Sequence, residues 1–388
     1  MIGDTQFPSA VTNITPGQAP GMLPASPVQA DLSATQMMAE DMYIPFDITS
    51  LDLPPGDLTD KGGVETFAAK KPKPGKPKKP STKDDSAPPS DDPATSGNLI
   101  KIPIIHTNDL HGAVNSMPDL NNAIHQLKSA NPDSVLIDSG DAGNTANHSE
   151  PEGFERIVDF FNNNGYLAVA PGNHEFQWGK DVAINEYFSK LKPKVVSANL
   201  LDKDTEKPLP DTVPYIIEDI KGVKVGFVGI TTTKMSTPQH PDMGSDIDAL
   251  PEAQTLMKEV KEMKKKGAQV IVGLVHKGIN DIRIEGEKLS DEEVKASLKE
   301  LHDLAVMVPD IDVIAAGHDH KTADLSFQTG PIPHRTYLVE AGSHGNEVGE
   351  IDLYVDPEKM AVVKADMHVW PTKNFSFSVE VPKEEKQH

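Results

Sequence analysis

The 388-residue sequence contains no cysteine. That excludes a disulfide framework, a thiolate metal site and a thiol nucleophile. It has no surplus of basic residues either. The formal net charge is -22, which argues against a surface built for nucleic acid, because a phosphate backbone needs a basic face. No apolar run approaches the roughly 18 residues of a membrane-spanning helix. The opening Met1-Ile2-Gly3-Asp4 lacks the basic and unbroken apolar segments of an ordinary signal peptide. No internal repeat is visible.

Residues 1–98 lack periodicity as well. Pro, Ser, Asp, Ala and Gly dominate them, and Ala68 to Ser96 is a low-complexity stretch with Lys-Pro repeats from Lys70 to Pro80. Such a composition buries too little apolar area to offset chain entropy. The expectation is a disordered Pro-rich arm whose Lys/Pro part is stiff and extended. Residues 68–98 would then attach the protein to a surface or another protein; a solvated spacer is the simpler reading.

From Leu99 the pattern changes. Apolar runs read as strands at Ile102–His106, Ser134–Asp138, Leu167–Ala170, Val195–Ala198, Gln269–Val275 and Ile311–Ala316. Between them, helical spacing covers Leu120–Ala130, Phe154–Asn164, Val182–Leu191, Leu250–Lys266 and Ser290–Val308, the last with Ser290 as N-cap and Glu293 completing a capping box. Tyr215–Ile220 and Val223–Ile230 read as a hairpin turning at Lys221-Gly222. Arg335–Ala341 and Glu347–Val355 are further strands, and Met360–His368 pairs back on the latter. Strands alternating with helices predict an α/β fold with a largely parallel or mixed sheet.

The strand ends carry the chemistry. The first predicted strand runs into Asp109 and His111, the second into Asp141, the third into Asn173 and His174. Two later strands run into His276 and into His318 and His320. Any one of these is an ordinary turn or a satisfied histidine. Together they are a set of Asp, Asn and His ligands at the edge where open α/β sheets bind. Without thiolates the set suits Mn, Fe, Zn or Co. It exceeds the needs of one tetrahedral ion and suits two ions about 3.5–4 Å apart, bridged by one carboxylate and clamping a phosphate.

Ile105-His106-Thr107-Asn108-Asp109-Leu110-His111-Gly112, Gly140-Asp141, Gly172-Asn173-His174-Glu175-Phe176, His276-Lys277-Gly278 and Gly317-His318-Asp319-His320 resemble the five blocks of calcineurin-like metallophosphoesterases. The first and third blocks resemble the 5′-nucleotidase branch. The resemblance implies a four-layer α/β/β/α sandwich of two mixed β-sheets flanked by helices, spanning residues 99–372, with 373–388 as a tail. It implies that Asp109, His111, Asp141 and His320 hold one divalent metal ion and Asp141, Asn173, His276 and His318 the other. His174 would face the phosphate and stabilise charge or protonate the leaving oxygen. The expected reaction is hydrolysis of a small-molecule phosphate ester, a nucleotide or cyclic nucleotide, by in-line attack of a metal-activated hydroxide.

Two departures stand out. The branch usually has Asp three residues after the His of its third block, where this sequence has Gln177. An amide orients an imidazole but stabilises imidazolium far less than a carboxylate does; Glu175 or a water would be the substitute. Complete 5′-nucleotidases also continue into a C-terminal domain that stacks the base. After the last predicted strand this sequence has only Trp370, Phe375 and Phe377 as large aromatics, so the catalytic domain alone is expected. The alternative these departures raise is a metal-binding module of low or no activity, tethered through its Pro-rich arm. The branch is often exported, and a Cys-free chain with a Pro-rich stalk fits an extracytoplasmic, periplasmic or secreted, location.

Overall fold

The computed structural model describes residues 99–113, 115–143, 153–237, 240–278, 291–329 and 334–377. The expectations for residues 1–98, for Ser290 as a cap and for the last residues fall outside that set. The first half of the described chain runs β1 (Ile100–Thr107), α1 (Met117–Ala130), β2 (Val135–Asp138), α2 (Gly153–Asn164), β3 (Ala168–Val169) and β4 (Lys194–Val196). Short strands follow: β5 (Leu200–Asp202), β6 (Lys207–Pro208) and β7 (Thr212–Val213). Then come β8 (Tyr215–Ile220), β9 (Val223–Thr231), β10 (Ile247–Ala249), α3 (Glu252–Lys265), β11 (Val270–His276) and α4 (Asp291–Met307). The chain closes with β12 (Val313–Gly317), β13 (Thr322–Gln328), β14 (Arg335–Ala341), β15 (Glu347–Asp356) and β16 (Ala361–Pro371).

These strands form the mixed α/β architecture that the alternation predicts. One sheet has the order β16-β15-β1-β2-β3-β4-β7, a second β13-β14-β12-β11-β9-β8, and a small third β10-β5-β6. β1, β2, β3 and β4 run parallel, as do β9, β11, β12 and β14. Parallel strands bring their carboxyl ends to one edge, which is what gathers the site.

Alternation along the strands divides the core. Ile102, Ile104, Ile137 and Val196 of the first sheet are buried with Val225, Phe227, Val272, Leu274 and Val339 of the second. Ile105, Leu136 and Val195 bury the other side of the first sheet with Leu120, Ile124 and Leu127 of α1 and Ile157 and Phe161 of α2. Val228, Ile230, Ile271 and Ile314 do the same for the second sheet with Leu256 and Val260 of α3 and Leu298 and Leu301 of α4. Each such side chain contributes about 1.5–3 kcal/mol by leaving water. At Gly229 a Cβ would lie 1.9 Å from the Val196 carbonyl oxygen, so the backbones of β9 and β4 approach too closely for any other residue.

The hairpin turns where the sequence says. Lys221 and Gly222 have φ of 56° and 84°, the paired left-handed values of a two-residue turn that continues strand twist. The predicted helix Val182–Leu191 is not regular. It is an α-turn at Lys180–Val182, a π-helical stretch at Ala183–Tyr187 and a 3-10 turn at Phe188–Lys190. Tyr187 and Phe188 are sequence neighbours and both fully buried. An α-helix splays neighbours about 100° apart, and the irregular turns bring both rings into one core. The third predicted strand is short: Ala168 and Val169 pair in register, the Leu167 and Ala170 N–H groups bond the Leu136 and Asp138 carbonyls, and Pro171, which cannot donate, follows. Past residue 372, Phe375 and Phe377 lie near Trp370 at centroid distances of 6.0 Å, and the Gln126 amide of α1 bonds the backbone of both.

Candidate metal centre

The loops after β1, β2, β3, β11 and β12 converge, and all seven residues that the sequence singles out as ligands arrive together. Ligand atoms of Asp109, His111 and His320 lie within 4.8 Å of one another, as do those of Asp141, His276 and His318. Asn173 joins the second group: its Oδ1 is 3.2 Å from His276 Nε2 and 3.1 Å from His318 Nδ1. Asp141 lies between the groups, with Oδ2 3.0 Å from His276 Nε2 and 4.0 Å from His111 Nε2.

The backbone is forced at these points. Asp109, His111, Asp141, His318 and His320 have φ of 50°, 46°, 52°, 97° and 57°. Side chains rarely adopt that region, at a cost of order 1–3 kcal/mol each. Strain concentrated on the candidate ligands marks them as positions held by their surroundings.

Those surroundings are specific. Glu175 is buried, and its carboxylate accepts from the N–H groups of Asp141 (3.0 Å), Gly143 (3.0 Å) and Gly172 (2.6 Å). It therefore ties the Asp141 and Asn173 loops together and does not serve His174, correcting the role the sequence allowed it. Burial, together with the Asp141 charge, pushes its carboxyl up to about 7. Asn108 Nδ2 donates to Asp109 Oδ2 (2.6 Å) and to the Gly342 carbonyl, while its Oδ1 accepts from Ala341. His276 Nδ1 donates to the Ser139 carbonyl at 2.8 Å, which leaves Nε2 for the site. Behind the His318-Asp319-His320 loop, buried Lys321 reaches Glu340 (2.6 Å), Asp319 (3.3 Å) and Ser297 (2.7 Å). At Gly172 a Cβ would lie 2.2 Å from Asp141 Oδ1, so only glycine lets the two loops touch.

Electrostatics sort the groups. Burial alone would raise the Asp141 carboxyl; His276, His174 and His111 outweigh it and hold Asp141 well below the usual carboxylate range. Burial alone would lower His276, but Asp141 beside it raises the imidazole to about 10. Burial and the His276 charge push His318 down to about 4. Burial, then His320, lowers His111.

This arrangement fits cations. His111 and His320 face each other Nε2 to Nε2 at 2.8 Å, and His276 Nε2 faces His318 Nδ1 at 3.2 Å. Two ring nitrogens so placed share either one proton or one metal ion. Asp109 Oδ1 is buried and lacks a close hydrogen bond among the described residues, with His320 Nε2 at 3.5 Å and His111 Nε2 at 3.8 Å, an oxygen that a cation would satisfy. The donor set of carboxylate, amide oxygen and imidazole suits borderline divalent metals.

His174 belongs to neither group of ligand atoms. Its ring centroid is 5.1 Å from that of His111, its backbone N–H donates to Asp141 Oδ1 at 2.8 Å, and its ring Nδ1 is 3.2 Å from Gln177 Oε1. Gln177 continues to His240 (Nε2 to Nε2, 3.1 Å). Sequence reading missed His240 and His344. The His344 ring sits 5.2 Å from that of His111 and 5.6 Å from that of His320. Its signal was present, since Ala341-Gly342-Ser343-His344 is again a strand running into Gly and His. His240 follows no strand and had none.

Imidazoles and carboxylates gathered at parallel strand ends form a candidate site for two divalent cations. The chain belongs to the calcineurin-like phosphoesterase family, whose model matches residues 102–322, more than half of the sequence. The family uses a dinuclear divalent metal centre. The chain is 27% identical over 215 residues to a 2′,3′-cyclic-nucleotide 2′-phosphodiesterase/3′-nucleotidase of Haemophilus influenzae, 51% of this chain and 31% of that protein. It is 28% identical over 292 residues to a 5′-nucleotidase of Bos taurus, 69% of this chain and 46% of that one. A 5′-nucleotidase precursor from Thermus thermophilus superposes with a TM-score of 0.57 at 21% identity, covering 70% of this chain and 54% of that chain. The calcineurin-like phosphoesterase YfkN from Bacillus subtilis gives 0.55 at 21%, covering 72% and 93%. The structural likenesses show the fold. The chain spans less than half the length of the two curated relatives.

Proposed function

We propose that the protein hydrolyses the phosphate esters of nucleotides at a two-cation centre. The observation that carries this is the convergence of both ligand groups on Asp141. Asp109, His111, Asp141 and His320 would hold one cation, and Asp141, Asn173, His276 and His318 the other. A cation pair there acidifies water and offsets phosphate charge. The nucleotide class rests on the names of the relatives from Haemophilus influenzae and Bos taurus.

The chain's own groups supply the rest. Water oxygen bonds to phosphorus and releases one proton to the surrounding solvent as the P–O bond to the leaving group breaks, and that bond's electron pair stays on the leaving oxygen. His174, beside the ligand groups yet outside them, gives its Nε2 proton to that oxygen, while Nδ1–H stays on Gln177. Glu175, Asn108 and Ser139 keep the ligands aimed while charge shifts. A relative named as a Listeria monocytogenes cell wall protein, 24% identical over 299 residues, supports an extracytoplasmic place of work.

The test is hydrolysis of p-nitrophenyl phosphate, bis(p-nitrophenyl) phosphate, 5′-AMP and 2′,3′-cyclic AMP with added Mn or Zn. Asp141→Ala is expected to abolish turnover of every substrate and to halve bound metal or worse. His174→Ala is expected to slow turnover about 10²–10⁴-fold with metal retained. Full activity in Asp141→Ala would sink the shared centre. A wild type that binds two metals and hydrolyses nothing would establish the inert metal-binding module.

A further inference from the structure

Gln177 poses a problem that a carboxylate would not. Both oxygens of a carboxylate accept, so either one can receive His174 Nδ1–H. An amide has one accepting end and one donating end. Which end faces His174 decides which ring nitrogen carries the proton. With Oε1 toward Nδ1, the ring is held as Nδ1–H, and Nε2 can carry and give up a second proton. With the NH₂ toward Nδ1, that nitrogen must be bare, and imidazolium meets a donor.

What lies on the other side of Gln177 bears on that choice. Gln177 Oε1 is 3.2 Å from His174 Nδ1, and Gln177 Nε2 is 3.1 Å from His240 Nε2. The two rings are 6.3 Å apart and nearly perpendicular, with the amide between them. The His240 backbone is itself fixed: its N–H donates to Thr237 oxygens at 3.1 and 3.2 Å, and its carbonyl accepts from Met243 at 3.2 Å. Gln177 and His240 line, with Phe176, Met243 and Asp246, a cavity of about 400 Å³.

We propose that His240 is a positioning residue for proton transfer. It accepts from the Gln177 amide through Nε2 and so locks the amide oxygen onto His174 Nδ1. Gln177 and His240 together orient the His174 ring as a carboxylate would, without supplying its charge. The proposal rests on His174 being the proton donor.

The experiment compares phenyl phosphate with p-nitrophenyl phosphate, esters of the same shape whose leaving groups differ in their need for a proton. The full chain is assayed as wild type, His240→Leu, His240→Gln, Gln177→Asp, Gln177→Asp/His240→Leu and His174→Ala, with metal content recorded for each. His240→Leu should lose about tenfold in kcat on phenyl phosphate and far less on p-nitrophenyl phosphate, with KM and metal content held. His240→Gln, which offers an amide oxygen as acceptor, should recover part of the loss. In the Gln177→Asp background His240→Leu should no longer discriminate, because a carboxylate needs no orienting. Equal losses on both esters, or the same loss with Asp at 177, would show that His240 only supports the fold. If His174→Ala does not discriminate between the esters, the proton-donor reading falls and this proposal with it. If His174→Ala discriminates and His240→Leu does not, only this proposal falls.

Discussion

At the scale of single residues, the site depends on groups that never meet a substrate. Glu175 is the clearest. Its two oxygens take three backbone N–H groups from the loops that carry Asp141 and Asn173. Glu175→Gln keeps the shape but turns one accepting end into a donor, so at least one N–H is left facing a donor. The expected cost is about 1–3 kcal/mol of stability, with metal affinity lowered about 10–100-fold. Thermal unfolding and metal titration by calorimetry measure both; unchanged affinity would mean that the loops hold themselves. The sequence showed Glu175 as part of a block and not what it does, because spacing along a chain reveals neither the direction of a side chain nor its partner. The candidate ligands stood out for the opposite reason. Each follows an apolar run, and an apolar run in an α/β pattern fixes which edge its end reaches. His240 sits in a loop between β9 and β10, and only tertiary contact with Gln177 gives it meaning.

Elements assemble through similar clasps. Asp312, just before β12, donates its N–H to the Ile271 carbonyl of β11 at 3.0 Å and accepts the Ile271 N–H on Oδ2 at 2.8 Å. Burial pushes its carboxyl up to about 6 from an ordinary 3.8. A folded value above the unfolded one means its contribution is complete below about pH 4 and is lost as pH rises through about 6. Asp312→Asn keeps an accepting oxygen and removes the titration. Between pH 4 and 7 the variant should therefore lose less stability than wild type, by about 2 kcal/mol. Urea unfolding across that range checks it; parallel curves for the two proteins would contradict it. The long helices and the hairpin at Lys221-Gly222 followed from periodicity and turn chemistry. β13 did not, because Thr322–Gln328 is a mostly polar strand at a sheet edge. The three-stranded β10-β5-β6 sheet was equally silent, its strands being two or three residues long. The broken helix at Lys180–Lys190 showed helical spacing, and nothing local announced the demand to bury Tyr187 and Phe188 together.

Across the whole molecule, strands of both sheets lead into the candidate metal centre, so its occupancy and global stability would be linked. A ligand that binds only the folded state stabilises it, by about 2.7 kcal/mol at 100 times its Kd. For a domain of this size that is a rise of about 5 °C in Tm. Added Mn or Zn should produce it, a chelator should reverse it, and Asp141→Ala should abolish most of it. Equal shifts in wild type and variant would place the binding elsewhere.

The order of strands in the first sheet has a consequence in time. β1 leads into Asp109 and His111, and it is clasped between β2 and β15. Ile100 lies opposite Val355. A ribosome adding about 5–20 residues per second needs roughly 10–50 s to travel from one to the other. Through that interval the β15 edge of β1 is unpaired, and for most of it the loop that β1 feeds lacks His318, His320 and the backbone of Ala341 and Gly342 that bonds Asn108. The nascent protein therefore begins building its first metal loop early and closes it among the last events of folding. Long-range pairing of this kind is slow and leaves strand edges exposed to aggregation, so the growing chain is most vulnerable while its site is half built.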